Sequence, residues 1–135
     1  MSLVRREGKA TAPTQDTFLA ELSGRGFGKI VEIYDALHAQ NIAFTIDPVE
    51  IDNWGTQLLR AARAHDAVGV FGLGVHIYSD GIDFLHDDLG EAYEATGNTE
   101  QAIASYRRAL AINPNRTHAK TRLNALGAAF TAAKG

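Results

Sequence analysis

Few residues in this chain have the types and spacing that chemistry requires. The densest polar cluster is His86-Asp87-Asp88, an imidazole and two carboxylates of the kind that ligate a divalent ion or move protons. Consecutive residues on a helix point in different directions, so these three cannot close on one ion. His38, His65, His76 and His118 complete the five histidines. None forms the His-Glu-x-x-His spacing that sets two ligands and a general base on one helical face. Ser23, Ser79 and Ser105 sit in neither a Gly-x-Ser-x-Gly nor a Ser-x-x-Lys context. The absence of cysteine removes disulfides, thiolate metal sites and a thiol nucleophile. Gly24–Lys29, reading GRGFGK, has the glycine density of a phosphate loop. Such loops follow a strand and end in Gly-Lys-Ser or Gly-Lys-Thr, whereas Ile30 follows Lys29 here, so a hinge between helices is expected. Asp87 and Glu91, four residues apart, share a helix face, and without an enclosing pocket they read as a solvated acidic surface. The expectation is a non-enzyme with no metal and no cofactor.

Composition agrees with that. The chain has 135 residues, 45% hydrophobic and 21% charged, which suits one soluble domain with a single core. A net charge of −3 argues against a nucleic-acid binder held by phosphate contacts. No apolar run approaches a membrane span, and MSLVRREGKATAPTQ lacks the apolar centre of a signal peptide. A cytoplasmic location and no membrane partner are expected.

The elements that must position any site centre on Asp83–Arg116. Leu85, Leu89, Ala92 and Tyr93 fall at the three-four spacing of one helical face. Gly97 suits the left-handed residue that stops a helix. Asn98 is placed as the next N-cap, with Gln101 three residues on completing a capping box. Ala102, Ile103, Tyr106, Ala109, Leu110 and Asn113 then line a second helix, which Pro114 ends. The spacing predicts a helical hairpin.

Around it, residues 1–15 read as a flexible N-terminal arm. DTFLAELSG suits a short helix burying Phe18, Leu19 and Leu22. Gly28–Gln40 reads as an amphipathic helix with Ile30, Ile33, Tyr34 and Leu37 on one face, and NIAFTID as an apolar connector against the core. Asp47-Pro48-Val49-Glu50 is a helix start, with a helix to about Arg63 packing through Ile51, Trp54, Gly55, Leu58 and Leu59. AVGVFGLGVHIY, residues 67–78, carries three glycines and β-branched residues that favour a strand or loop. A helix is chosen there on register, with Ala67, Phe71, Gly74, Val75 and Tyr78 on one face. Gly69 and Gly72 fall off that seam, where a second copy could approach. A last helix over about 116–132 carries Ala119, Leu123, Leu126 and Phe130, with Lys120, Arg122 and Lys134 on its wet side.

Leu89-Gly90, Tyr93, Ala102, Tyr106, Ala109 and Pro114 together resemble the tetratricopeptide repeat, a helical hairpin of about 34 residues, with His86 where the family often has Trp. Trp54-Gly55 matches Leu89-Gly90 at an offset of 35 residues, with the extra residue placed in SDGID. Ala67 then matches Ala102 and Phe71 matches Tyr106. The departures are Leu58 for the tyrosine, Ala62 for the turn glycine and Ser79 for the proline. The resemblance implies an all-α fold, a short α-solenoid of antiparallel hairpins in a superhelix, with about six or seven helices. Its helical domain spans 16–135, with a degenerate repeat over about 48–82, a clear repeat over 83–116 and a capping helix over about 116–132, since a lone repeat cannot bury its apolar face.

By register with the family, Phe84, Asp87, Glu91 and Glu94 face an inner groove. Asp52, Thr56, Leu59 and Arg63 join them from the preceding repeat, and His118 and Arg122 from the cap. Members that grip a C-terminal carboxylate use Lys, Arg and Asn at these places, so acids imply a basic or amphipathic protein segment instead. The string HDDLGEAYEATGNTEQAIASYRRALAINPN is also similar to helical tails of bacterial serine hydrolases, esterase-like or β-lactamase-like. The expected function is a non-catalytic protein–protein interaction module, an accessory of a larger hydrolase or a separate scaffold. A structural or homodimerisation domain with an empty groove is the alternative.

Overall fold

The computed structural model describes residues 15–40, 44–79 and 81–134, with side chains described between Phe18 and Gly127. Of the arm expected over 1–15, residues 1–14 lie outside the described residues and Gln15 instead opens the first helix; residues 41–43 of NIAFTID, Asp80 of SDGID, and the side chains of Phe130 and Lys134 lie outside them too. Among the described residues there are seven α-helices and no strand, in two compact units, 1–47 and 48–135. This is the all-α, antiparallel-hairpin architecture that the repeat pattern implies.

In the first unit, α1 (Gln15–Arg25) meets α2 (Ile30–Ala39) through a 3-10 turn over Phe27–Lys29. Gly26, at φ 89°, makes the break, and its N–H donates back to the Leu22 carbonyl at 2.7 Å. GRGFGK is therefore a connection between helices. Phe18 and Leu22 are buried at i, i+4, but Leu19 is 46% exposed and is not the core residue expected. One residue on from Phe18 swings about 100° round the helix, away from the seam. Ile30, Ile33, Tyr34 and Leu37 are buried as their spacing predicts. Phe44 and Ile46 of the connector are buried too, with the Phe44 ring 5.4 Å from Phe18 and 5.3 Å from Tyr34.

The second unit runs α3 (Pro48–Arg60), α4 (Ala64–Ile77), α5 (Asp83–Ala95), α6 (Thr99–Ile112) and α7 (Thr117–Lys134). Each helix packs on the next, and α3 also packs on α5. Two hairpins repeat each other's contacts. A Cβ on Gly55 would overlap the Phe71 ring, and one on Gly90 would lie 2.7 Å from the Tyr106 ring. Each first helix thus lets one aromatic ring of its partner lie directly against its backbone. Both hairpins turn the same way as well. Gly97 has φ 83°, with Asn98 N–H on the Tyr93 carbonyl at 2.9 Å and Gly97 N–H on Glu94 at 3.0 Å. Ala62 has φ 61°, with Arg63 N–H on Leu58 at 2.8 Å and Ala62 N–H on Leu59 at 3.1 Å. Both are the paired bonds of a helix closed by a left-handed residue.

Asn98 does not cap α6 with its side chain; its Nδ2 donates to Thr96 Oγ1 at 2.9 Å. The expected capping box is therefore absent: the Asn98 N–H that Gln101 would have accepted donates to the Tyr93 carbonyl instead, and the Asn98 amide is turned toward Thr96. Residues 64–77 are helical despite their glycines. Gly74 is required there: a Cβ would stand 2.8 Å from Ile51 and 3.2 Å from Leu85. Close packing overrides poor propensity. Gly72 faces open space. At the far end α7 covers α6, with Ala119 fully buried beside Ala102, Tyr106 and Ala109, and with Leu123 and Leu126 packed against them.

Candidate functional site

The three residues His86-Asp87-Asp88 face three different neighbours. Burial first, then the Arg108 guanidinium of α6, holds the His86 imidazole below its usual pKa. Asp87, nearly fully buried, is taken by the α6–α7 corner: Arg116 Nε donates to Oδ2 at 2.9 Å and His118 Nδ1 to Oδ1 at 2.7 Å. Asp88 turns the other way and hydrogen-bonds Asp52 of α3. Among the described residues no three imidazole or carboxylate groups converge to hold a metal ion.

A band of charge-assisted hydrogen bonds continues from Asp87 along α5. Arg116 Nη1 reaches Asp83 Oδ2 at 3.2 Å, and Asn113 Nδ2 donates to the same oxygen at 2.9 Å. These bonds, the Asn113 one foremost, lower the Asp83 pKa against the opposing effect of burial. Two turns beyond Asp87, Arg122 grips Glu94 with Nε at 2.9 Å and Nη2 at 2.5 Å, a two-pronged pair that lowers the Glu94 pKa. The Tyr106 hydroxyl donates to Glu94 Oε2, and burial together with that bond pushes the Tyr106 pKa up. Glu91 lies between these pairs, about half exposed, with His118 Nε2 at 4.0 Å.

Of the residues expected at the groove, Glu91, Glu94, His118 and Arg122 therefore line one open pocket of about 440 Å³ together with Ala95 and Tyr106, and Asp87 lies behind it, bonded to His118. Asp52 and Thr56 lie half-buried on α3, and Phe84 half-buried in the first turn of α5. Arg63 is elsewhere. It follows the left-handed turn after α3 and pairs with Asp66 of α4, Nη2 to Oδ2 at 2.6 Å. The helix expected to reach Arg63 ends at Arg60, because Ala62 takes positive φ.

The sequence singles out Asp88 only as part of the His86-Asp87-Asp88 cluster and not at the groove, although Phe84, Asp88, Glu91 and Ala95 form an unbroken three-four stripe that includes it. Tyr106 read as a packing residue because the ring is fully buried, and its hydroxyl has no sequence signature.

Residues 84–116 match the tetratricopeptide repeat family. That stretch is α5, its left-handed turn, α6 and the corner that carries Arg116. The tetratricopeptide repeat is generally a non-catalytic fold for binding proteins or peptides. No curated protein matches the chain. No helix of the described residues is long and apolar enough to cross a membrane.

Proposed function

We propose that residues 48–135 form a non-catalytic protein-interaction module of a degenerate repeat (48–82), a clear repeat (83–116) and a capping helix (116–132). In this reading a basic or amphipathic segment docks along α3 and α5, contacting Asp52, Thr56, Phe84 and Glu91, with Asp88 in the joint beneath. Asp87, Glu94, His118 and Arg122 act beneath and beside that face, fixing α7 against α5. The observation that carries the reading is how the charge is distributed. Arg116, His118 and Arg122 are matched to Asp83, Asp87 and Glu94, whereas the charges that act most strongly on Asp88 are acids: Asp52, Asp87 and Glu91. The α3–α5 face thus carries unbalanced negative potential, which favours a cationic partner.

Selection of a displayed peptide library on the immobilised chain tests this. Enrichment of Lys- and Arg-bearing sequences, with affinity falling as salt rises, is the expected result. Enrichment of acidic or purely apolar sequences would contradict it. The accessory-domain reading, a tail of a larger hydrolase, rests on the HDDLGEAY…LAINPN string and is tested by whether hydrolase codons lie in frame upstream. The homodimer alternative draws on the open space at Gly72. Light scattering separates it: a monomer mass, unchanged in Gly69→Leu with Gly72→Leu, removes it.

A further inference from the structure

We propose that the joint between α3 and α5 holds a proton, the Asp88 carboxyl donating to Asp52, and that the two hairpins stack fully only while the proton is there. An ionised carboxylate can only accept hydrogen bonds, so one between two carboxyl groups requires that one of them keep its proton. The Asp52–Asp88 bond is such a pair, made between two helices that pack directly on each other. Asp88 Oδ2 is buried, and no hydrogen-bond donor of the protein reaches it. A buried, unpartnered oxygen is tolerable on a neutral carboxyl and very costly on an anion. The strongest charges acting on it are all negative, Asp52 from α3 and Asp87 and Glu91 from α5 itself. The nearby cations of the α7 end, Arg116, His118 and Arg122, are bonded to Asp83, Asp87 and Glu94. Burial first, then Asp52, pushes the Asp88 pKa up to about 9.

The direction of the linkage follows. A carboxyl whose folded pKa lies above its unfolded value binds a proton in the folded chain that the unfolded chain has already released. Stability therefore falls as pH rises from the unfolded carboxylate range to about 9, and above that the joint holds two carboxylates that repel. The assignment does not rest on the proposed partner, and a cation bound over Asp52 would favour release of this proton.

Carbon-13-detected titration of the aspartate carboxyl signals in the whole chain tests the assignment. One aspartate is expected to titrate near pH 9; that signal disappears in Asp88→Asn and moves toward the ordinary range in Asp52→Asn. Thermal or denaturant unfolding between pH 5 and 9 supplies the second readout. The wild-type folding equilibrium should weaken by up to about tenfold per pH unit, the slope of one proton, whereas Asp88→Asn should lose that slope. A wild-type titration in which every aspartate ionises below pH 6 would overturn the proposal, as would an unchanged slope in Asp88→Asn. If Asp88→Asn does not fold, the wild-type titration and Asp52→Asn decide the matter.

Discussion

Glu94 shows how little of the acidic surface is free to meet a partner. Its carboxylate is shared between the Arg122 guanidinium and the Tyr106 hydroxyl, and it ties α5 to both α6 and α7. Hydrogen bonds to charged groups are worth about 1.5–3 kcal/mol each in mutational series. Glu94→Gln is accordingly expected to cost about 1–3 kcal/mol at pH 7 in denaturant unfolding. Because the folded fold lowers the Glu94 pKa, this contribution is present above the unfolded carboxylate pKa and is lost as pH falls through the lower folded one. The gap between wild type and Glu94→Gln should therefore close below about pH 4. Asp83 behaves in the same sense and Asp88 in the opposite one. Together they place greatest stability in the mildly acidic range. None of these pairings was legible in the sequence. They join residues 12 to 33 apart through rotamers that a helical wheel does not specify.

Ala62 and Gly97 occupy the same turn in two hairpins, one with a side chain and one without. An L-residue in the left-handed region carries a penalty of about 1–2 kcal/mol that glycine avoids. Ala62→Gly should therefore raise the melting temperature, with a gain of up to about 1 kcal/mol after glycine's extra unfolded-state entropy is subtracted. Gly97→Ala should lose about 1 kcal/mol. Equal effects of opposite sign would show that the two turns are equivalent; a destabilising Ala62→Gly would show that they are not. Helices and their stops were the most readable part of this chain, since apolar spacing and turn residues act locally. Leu19 and Asn98 mark where local reading ended. An apolar residue one step off the seam cannot be recognised without its neighbours, and a capping box forms only where the preceding turn leaves the cap's own N–H unused. Residues 64–77 show the reverse case: their glycines argued against a helix, and register with α6 identified one.

Across the second unit, five helices stack so that the first helix of each hairpin lies beside the next, α3 on α5. The period was visible as two glycines 35 residues apart, because each admits an aromatic ring against the helix backbone. Which acids of that face remain available was not visible, because it depends on which cations the α7 end brings back. A partner docked as proposed lies on α3 and α5, over Asp52, Thr56 and Glu91, and away from the outer side of α6. A nitrogen-15 chemical-shift titration of the whole chain with a selected Lys- and Arg-rich peptide tests that location directly. Shifts concentrated at those α3 and α5 amides, and abolished by Glu91→Lys, are the predicted result. Shifts centred on Glu100, Arg107 and Arg108 of α6, or an unchanged response in Glu91→Lys, would contradict it.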